Sequence, residues 1–392
     1  MLILFTFAGF IETVFFGALN AFTPLYLPRL GVIAEKVPVW TGGLVAASSA
    51  IGIPFLPFWG ALADRYSRKP IIVRSFFVHL LAVLGMLVAR NIWVFAIGRS
   101  LTSLALGNSG LMMTTLTENA PRRRQGLAFS IMNGAPPVGA FLGPMISGAL
   151  VDTWGFPALL GMIALLMLAV ILALSFGYRD SYVGKNREPL LGMAVDSLRL
   201  IGQSARLRAL FPALFLLFAG WTIAITYTPL AITTLYTGDQ PGTAVGIVLG
   251  AGGLTTLLLS PLVGLLADRF GHWRVLFAGA GIAVILWPIP YFTSDLFSFS
   301  IAWALTNGLV SSIFAISFAV LSASATSQVR GRVMSYAYLP MNVGFLVGPA
   351  IGSLITRISI FAVYPVAAIL TAAGIGVLWV ARRQSISGNN RV

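Results

Sequence analysis

The chain contains the stretch Gly60-Ala-Leu-Ala-Asp64-Arg65-Tyr-Ser-Arg68-Lys69-Pro70, and a shorter copy follows as Gly264-Leu-Leu-Ala-Asp268-Arg269-Phe270. The two stretches are 204 residues apart. A second pattern recurs at an offset of 205 residues and consists of Gly139, Gly143 and Pro144 in the first copy and Gly344, Gly348 and Pro349 in the second. Two patterns that recur at nearly the same offset indicate an internal duplication with both copies in the same direction. The chain is therefore predicted to consist of two related halves.

The composition indicates that most of the chain lies in lipid. Hydrophobic residues make up 58% and charged residues 9% of the 392 positions, which is too little polarity to cover the surface of a water-soluble chain. Runs of about 20 apolar residues, each able to cross a ~30 Å hydrocarbon core, recur along the sequence. We predict an all-α membrane protein with twelve transmembrane spans at 2–24, 41–63, 71–90, 92–117, 125–151, 157–177, 209–235, 242–267, 274–293, 296–323, 331–356 and 360–381.

Basic residues are distributed unequally between the two sides of these spans. Twenty of the 25 lysines and arginines lie on even-numbered connections or on the C-terminal tail, four lie on odd-numbered connections, and Arg99 lies within a span. Cytoplasmic loops carry the excess of positive charge in membrane proteins. We therefore expect a multi-pass protein of a bacterial inner membrane with both termini in the cytoplasm.

One polar stretch divides the spans into two sets of six. The predicted units are an N-terminal half at 1–177, a linker at 178–208, and a C-terminal half with a short tail at 209–392. Within the linker, apolar residues are interleaved with Arg199 and Arg206, which is typical of an amphipathic helix on the membrane surface. A partly disordered tether is the alternative interpretation.

These motifs resemble those of the major facilitator superfamily over essentially the whole chain. The stretch from Gly60 to Pro70 resembles the signature loop between helices 2 and 3 of that superfamily, and the stretch from Asp268 to Arg274 resembles its second copy. The resemblance implies two six-helix halves and a latch that holds their cytoplasmic sides together in the outward-facing state. The residues that this latch would use are Gly60, Asp64, Arg65, Arg68, Lys69, Gly264, Asp268 and Arg269. A role in fixing topology alone is the alternative for the basic residues.

The glycines of span 5 resemble the antiporter motif of the drug:proton antiporters in the same superfamily. The pattern departs from that motif at Ser147, where a second glycine is usual. Glycine and proline permit close helix packing and local bending. We expect packing or a hinge at Gly139, Gly143, Pro144 and Gly148 and, in the second half, at Gly344, Gly348 and Pro349.

Two charged residues are placed inside the membrane by the predicted spans. Glu12 lies roughly 16 Å from the cytoplasmic end of span 1, and Arg99 lies roughly 10 Å from the outer end of span 4. Because an uncompensated charge at such depth is costly, we expect the two to pair or to face a wet cavity. Arg99 also resembles the arginine of the superfamily's helix 4 motif, which is implicated in proton coupling. Proton coupling is therefore predicted at Glu12 and Arg99, with a purely structural ion pair as the alternative.

The resemblance implies that spans 1, 4, 7 and 10 line a central cavity. Helical spacing then selects the candidate lining residues Phe16, Asn20, Ser103, Trp221, Tyr227, Trp303 and Asn307. Such a lining is aromatic and apolar with few polar anchors, which suits a lipophilic or cationic molecule. Ordinary helix packing is the alternative for each of the aromatic residues.

We expect a secondary active transporter that works by alternating access, and specifically a proton-coupled exporter of amphiphilic or drug-like molecules. A carrier for sugars, other metabolites or lipids is the alternative within the same fold. An intramembrane enzyme is a remote alternative, because the sequence has no nucleophile elbow, histidine cluster or P-loop.

The expected partners are a small-molecule substrate, protons and the lipid bilayer, with the monomer as the functional unit and without nucleic acid. The chain has no cysteine, and its two histidines are His79 and His272. Metal sites in proteins are built mainly from such residues and from clustered carboxylates. We therefore expect no bound metal and no cofactor.

The distribution of basic residues generates a test of orientation. A cysteine introduced at Ser181 should react with a membrane-impermeant thiol reagent only from the cytoplasmic side, and one at Gly238 only from the outside. The natural chain has no cysteine, so each variant carries a single reactive thiol. Reversed labelling of the two variants would overturn the predicted topology.

Overall fold

The computed structural model describes residues 1–55, 67–105, 108–119, 125–180, 199, 201–325, 333–334 and 336–389. Its helices are α1 (Leu2–Tyr26), α2 (Val37–Gly52), α3 (Arg68–Leu87), α4 (Ile92–Leu101), α5 (Asn108–Asn119), α6 (Gln125–Gly177), α7 (Ala205–Leu235), α8 (Pro241–Phe270), α9 (His272–Leu286), α10 (Leu296–Ala323), α11 (Leu339–Ile355) and α12 (Val363–Asn389). Short 3₁₀ turns lie at Leu27–Leu30, Ala34–Lys36, Ile53–Phe55, Thr102–Ala105, Ile289–Phe292 and Ile360–Ala362. The described ranges contain no β-strand.

These helices account for the twelve predicted spans. Nine segments of the described chain are long and apolar enough to cross a membrane. One of them, Gly134–Gly177, has 44 residues and covers predicted spans 5 and 6. The two remaining spans correspond to α11, which has 17 residues, and to α4 together with α5. The predicted all-α membrane fold of two six-helix halves is therefore confirmed.

Helix α6 contains the connection between spans 5 and 6. Gly155 has φ 83° and ψ 168°, a combination that glycine tolerates because it has no Cβ. Pro157 follows two residues later and has no backbone N–H to donate to the preceding turn. The chain therefore changes direction at Gly155 with almost no loop. We call residues 125–154 the first arm of α6 and residues 156–177 its second arm.

Predicted span 4 is interrupted rather than continuous. Helix α4 is followed by a 3₁₀ turn at Thr102–Ala105. The Thr102 hydroxyl donates to the Arg99 carbonyl at 2.7 Å, and the Ser103 hydroxyl donates to the Ser100 carbonyl at 2.6 Å. Hydroxyl side chains that bond nearby backbone carbonyls compete with the helical ladder. These residues give a local reason for the end of the α-helix at Leu101.

Helix packing inside the two halves follows the sequence repeat. Gly139 of the first arm lies against Thr13 of α1, and Gly344 of α11 lies against Phe218 of α7. Each member of the second pair is 205 residues after its counterpart in the first. The contacts continue one helical turn further along at Gly143 and Gly348. The repeated glycines thus hold equivalent helices together in each half.

The order of the helices defines two ends of the bundle. Helices α1, α3, α7 and α9 begin at one end, where α12 finishes, and we call this end the basic face because arginines and lysines cluster there. Helices α2, α4, α8 and α10 begin at the opposite end, which we call the far face. The predicted amphipathic helix of the linker falls mainly on residues 181–198, outside the described residues, and stays a prediction.

Candidate functional site

Two matched contacts join the halves near the far face. A Cβ at Gly42 of α2 would overlap the carbonyl oxygen of Pro349 on α11, and a Cβ at Gly246 of α8 would overlap the carbonyl oxygen of Pro144 on α6. Gly246 follows Gly42 by 204 residues, and Pro349 follows Pro144 by 205. The duplication therefore places a glycine of one half against a proline carbonyl of the other on both sides of the bundle. We call these two contacts the glycine–proline clamps.

The clamp between α6 and α8 is the end of a longer stripe of small residues. Four glycines of α8 lie against the first arm of α6, in the pairs Gly242 with Gly148, Gly246 with Pro144, Gly250 with Phe141, and Gly253 with Ala140. Small residues let membrane helices approach closely enough for their backbones to pack. The stretch from Ala140 to Asp152 corresponds to about 18 Å of helix, so this interface extends over more than half of the hydrocarbon thickness.

Asp152 adds a polar contact at the outer end of this stripe. Its two carboxylate oxygens accept from the backbone N–H groups of Gly242 at 2.8 Å and Thr243 at 2.6 Å. These groups belong to the first turn of α8, where backbone donors have no partner within the helix and the helix dipole favours negative charge. A carboxylate of the N-terminal half therefore caps a helix of the C-terminal half. Sequence reasoning missed Asp152, because its capping role depends on a helix of the other half.

Tyr227 reinforces the other clamp rather than facing an open cavity. Its hydroxyl donates to the Pro349 carbonyl at 2.7 Å, and its side chain is fully buried. A Cβ at Gly42 would overlap this hydroxyl as well. The structure therefore places Tyr227, a predicted cavity residue, at the contact of α7 and α11 with α2.

Arg99 is buried beside α1 with only 5% of its surface exposed. Its Nη2 donates to the side-chain oxygen of Asn20. Within the described residues its Nε and Nη1 have no hydrogen-bond partner. Asn20 is neutral, so the guanidinium keeps a net positive charge in an environment of low polarity.

Arg99 faces a small cavity that both halves line. The cavity has a volume of about 10 Å³, close to the space that one water molecule needs. Its wall combines Asn20 and Thr23 of α1, Thr41 of α2, and Thr226 of α7. Because Thr226 belongs to the other half, a relative movement of the halves changes the surroundings of Arg99.

The expected pairing of Arg99 with Glu12 is not present in the described part of the chain. Arg99 donates to Asn20 instead, and Asn20 lies eight residues after Glu12, or about 12 Å further along α1. The two residues do not pair because they lie at different depths in the membrane. Helix α1 continues to Tyr26, so a residue roughly 10 Å from the far face is level with Asn20 and not with Glu12.

Trp221 and Asn307, two of the predicted cavity residues, are joined by a hydrogen bond inside the C-terminal half. The Trp221 indole N–H donates to the Asn307 side-chain oxygen at 3.1 Å, and the Asn307 amide donates to the Gly252 carbonyl at 3.2 Å. Trp303 is 1% exposed and packs against Tyr364, with ring centres 6.5 Å apart. Trp221 thus remains a half-buried candidate for substrate contact, whereas Trp303 is a core residue.

Phe16 packs in an aromatic cluster of the N-terminal half. Its ring centre lies 5.2 Å from that of His79 and 5.0 Å from that of Phe15. His79 is fully buried, and neither of its ring nitrogens has a hydrogen-bond partner among the described residues. It is a second titratable group near α1 that the sequence analysis considered only as a metal ligand. Ser103 donates to the Ser100 carbonyl.

The predicted latch residues are only partly described. Gly60, Asp64 and Arg65 lie outside the described residues. The backbone N–H groups of Arg68 and Lys69 donate to Asp180 at 2.6 and 2.9 Å, so Asp180 caps α3. The described contacts of this segment thus fasten α3 to the end of α6 within one half.

The second copy of the latch motif ends α8 at the basic face. Gly264 has open space around its Cβ position. Asp268 lies 3.8 Å from His272, and the Arg269 guanidinium stacks on Phe270 at 5.3 Å. These contacts are local, so a latch role for this copy remains a prediction. No group of metal-ligating residues occurs in the part of the chain that the structure describes.

Two repeated six-helix halves with matched contacts at one face define a membrane transport protein. The Major Facilitator Superfamily matches residues 1–238 and 210–391. The chain belongs to this family.

Relatives and solved structures agree with this assignment. The chain is 28% identical to the multidrug resistance protein MdtG of Klebsiella pneumoniae (strain 342) over 345 residues, which cover 86% of this chain and 82% of that one. It is 29% identical to MdtG of Enterobacter lignolyticus (strain SCF1), and the match covers 86% of this chain and 81% of that one. The structure of the nucleoside transporter NupG matches with a TM-score of 0.78 at 13% identity, covering 97% and 99%. The structure of a D-xylose-proton symporter matches with a TM-score of 0.75 at 15% sequence identity, covering 95% of this chain and 96% of that one.

The Asp152 contact predicts a shift in the balance between closed and open far faces. Asp152→Ala removes two charge-assisted hydrogen bonds across the halves, and the open form should gain on the order of tenfold in relative population. Electron-paramagnetic distance measurements between labels at Ile33→Cys and Phe292→Cys, two exposed positions on different halves, report this change. Asp239→Ala is the control, because Asp239 is exposed in the loop before α8. Equal distance distributions for both variants would contradict the role of Asp152.

The glycine–proline clamps predict a steric block at Gly42 and Gly246. Gly42→Val should separate the same pair of labels, because its side chain would overlap Pro349 and Tyr227. Gly43→Val is the matched control, since Gly43 has nothing within 4 Å of its Cβ position. Gly246→Val should reproduce the effect from the other side of the bundle. A far face that stays closed in both clamp variants would refute the interpretation.

Proposed function

We propose that this transporter is a proton-coupled exporter of amphiphilic or drug-like small molecules. The observation that carries the proposal is its likeness to the multidrug resistance proteins MdtG, at 28–29% identity over 86% of the chain. The antiporter-like pattern on the first arm of α6 agrees with it. The nucleoside and xylose transporters share the fold at 13–15% identity, and a shared fold does not select a substrate.

The polar groups of the predicted cavity support a substrate with few hydroxyl groups. Asn20 accepts from Arg99, and Asn307 is bonded to Trp221 and to the Gly252 carbonyl. Side chains that are already bonded within the protein are less available to a sugar, which needs many hydrogen bonds. Phe16 and Trp221 instead supply apolar and cation–π surface.

The position of the clamps supports alternating access. They close the far face, which is proposed to face the outside of an inner membrane because the excess of basic residues lies at the other end. Export requires these contacts to separate while the basic face closes. The latch residues around Asp64 are proposed to hold that second state, and one chain is proposed to suffice for the whole cycle.

Proton coupling is proposed at Glu12, with Arg99 as the charge that acts on it. Neither residue has a charged counterpart in the second half, where Trp303 occupies the position 204 residues after Arg99. Coupling is therefore confined to the N-terminal half. Arg99 contacts α1 through Asn20 and shares its cavity with Thr226 of α7, so the movement of the halves changes the field along α1.

The decisive variant is Glu12→Gln. It should abolish accumulation of a cationic fluorescent dye driven by an imposed pH gradient in proteoliposomes, because the titrating group is lost. Downhill dye movement should persist, because the cavity is retained. Glu35→Gln is the control, since Glu35 is an exposed carboxylate at the far face. Gradient-driven accumulation at the wild-type rate in a folded Glu12→Gln protein would refute the coupling assignment.

The same preparation tests the substrate class. A proton gradient should drive the dye but not a labelled sugar in the wild-type protein. Sugar movement without dye movement would replace the exporter proposal with the sugar carrier.

A further inference from the structure

Two arginines lie against a pair of stacked aromatic rings at the basic face of the C-terminal half. The guanidinium carbon of Arg206 lies 5.8 Å from the Trp273 ring centre, and that of Arg382 lies 5.8 Å from the Phe277 ring centre. The Trp273 and Phe277 rings are stacked, with centres 6.2 Å apart and 28° between their planes. We call these four residues the arginine–aromatic ladder.

Residues of three helices build this ladder. Trp273 and Phe277 are four residues apart on α9 and therefore share one side of that helix. Arg206 lies in the first turn of α7, where the Ser204 hydroxyl accepts from the Leu207 N–H at 3.3 Å. Arg382 lies on α12, seven residues before the last residue of that helix. Because α7 and α9 both begin here, their dipoles add positive potential to that of the two guanidiniums.

The positive charge of the ladder has no protein counter-ion among the described residues. Neither Arg206 nor Arg382 forms an ion pair there, and the Arg206 Nε is buried without a hydrogen-bond acceptor. Asp268 at the neighbouring end of α8 lies next to His272 instead. A guanidinium stacked on a ring keeps its N–H donors in its own plane. The ladder therefore offers donors and charge to an anion that comes from outside the chain.

We propose that the arginine–aromatic ladder binds the phosphate headgroup of an anionic phospholipid. The ladder lies where membrane-spanning helices reach the lipid headgroups, and basic sites between such helices recognise anionic lipids. Exposed apolar side chains continue from it along α9 and α12, which gives the acyl chains a surface, and include Ile282, Ile285, Ile369 and Trp379. Two guanidiniums, each against a different ring of the stacked pair, suit a lipid with two phosphates best.

Native mass spectrometry of the purified full-length chain tests this site. The protein is titrated with cardiolipin and, separately, with zwitterionic phosphatidylethanolamine. The wild type should bind cardiolipin more tightly, and Arg206→Gln with Arg382→Gln should weaken cardiolipin binding on the order of tenfold. Phosphatidylethanolamine binding should change little, because that lipid carries no net charge.

The matched control is Arg208→Gln with Arg274→Gln. These two arginines are exposed and lie on α7 and α9, the helices of Arg206 and Trp273. The double variant removes the same number of charges as the ladder variant, so cardiolipin binding should stay near the wild-type value. Arg206→Lys with Arg382→Lys keeps the charge but loses the planar donors, so it should bind cardiolipin with an intermediate affinity. This variant tests the site even if the glutamine variant fails to fold. Equal weakening by the ladder and control variants, or no preference for cardiolipin in the wild type, would overturn the proposal.

Discussion

The close approach of two glycines to two proline carbonyls is the constraint on which the closed arrangement of the halves depends. Helices in lipid gain little from the hydrophobic effect when they associate, so their contacts must come from backbone packing and hydrogen bonds. Gly42 and Gly246 permit that packing because a Cβ at either position would meet an opposing carbonyl. With the far face closed in this way, Asp152 reaches α8, Tyr227 reaches Pro349, and Thr226 completes the wall around Arg99.

The two clamps share the same glycine–proline packing but differ in the polar groups beside it. The first turn of α8 is capped by Asp152 of the other half, whereas α2 begins at Val37 without a side-chain cap. On this helix the repeat has an offset of 205 residues, which makes Arg357 the counterpart of Asp152, so the second half offers no carboxylate there. Arg99 and Glu12 are likewise confined to one half. The duplication thus accounts for the packing, whereas the carboxylates of Asp152 and Glu12 and the guanidinium of Arg99 have no like counterpart in the second half.

Much of the fold could be predicted because hydropathy, turn residues and the repeat are local properties of the sequence. The offset of 204 residues would also have identified Gly42 and Gly246 as partners of the repeat, since they fall on it. Contacts between helices were harder to predict from the sequence. Asn20 as the partner of Arg99 depends on where α1 ends, and the role of Asp152 depends on which helix begins beside it. Burial of Trp303 and Tyr227 depends on neighbours that helical spacing alone does not identify.

The neutral partner of Arg99 bears directly on the proposed coupling. A cation beside Asn20 is not cancelled by its hydrogen-bond partner, and an uncompensated charge in a medium of low polarity acts over longer distances than it does in water. Arg99 also shares its cavity with Thr226 of the other half, so separation of the halves at the far face would admit water beside Arg99 and screen its charge. Under the proposed coupling, Glu12 lies on the same helix as Asn20 and is the carboxylate whose surroundings this change of field would alter in each cycle. A neutral partner for Arg99 suits that proposal better than a permanent ion pair with Glu12, which would cancel the charge of Arg99 in both states.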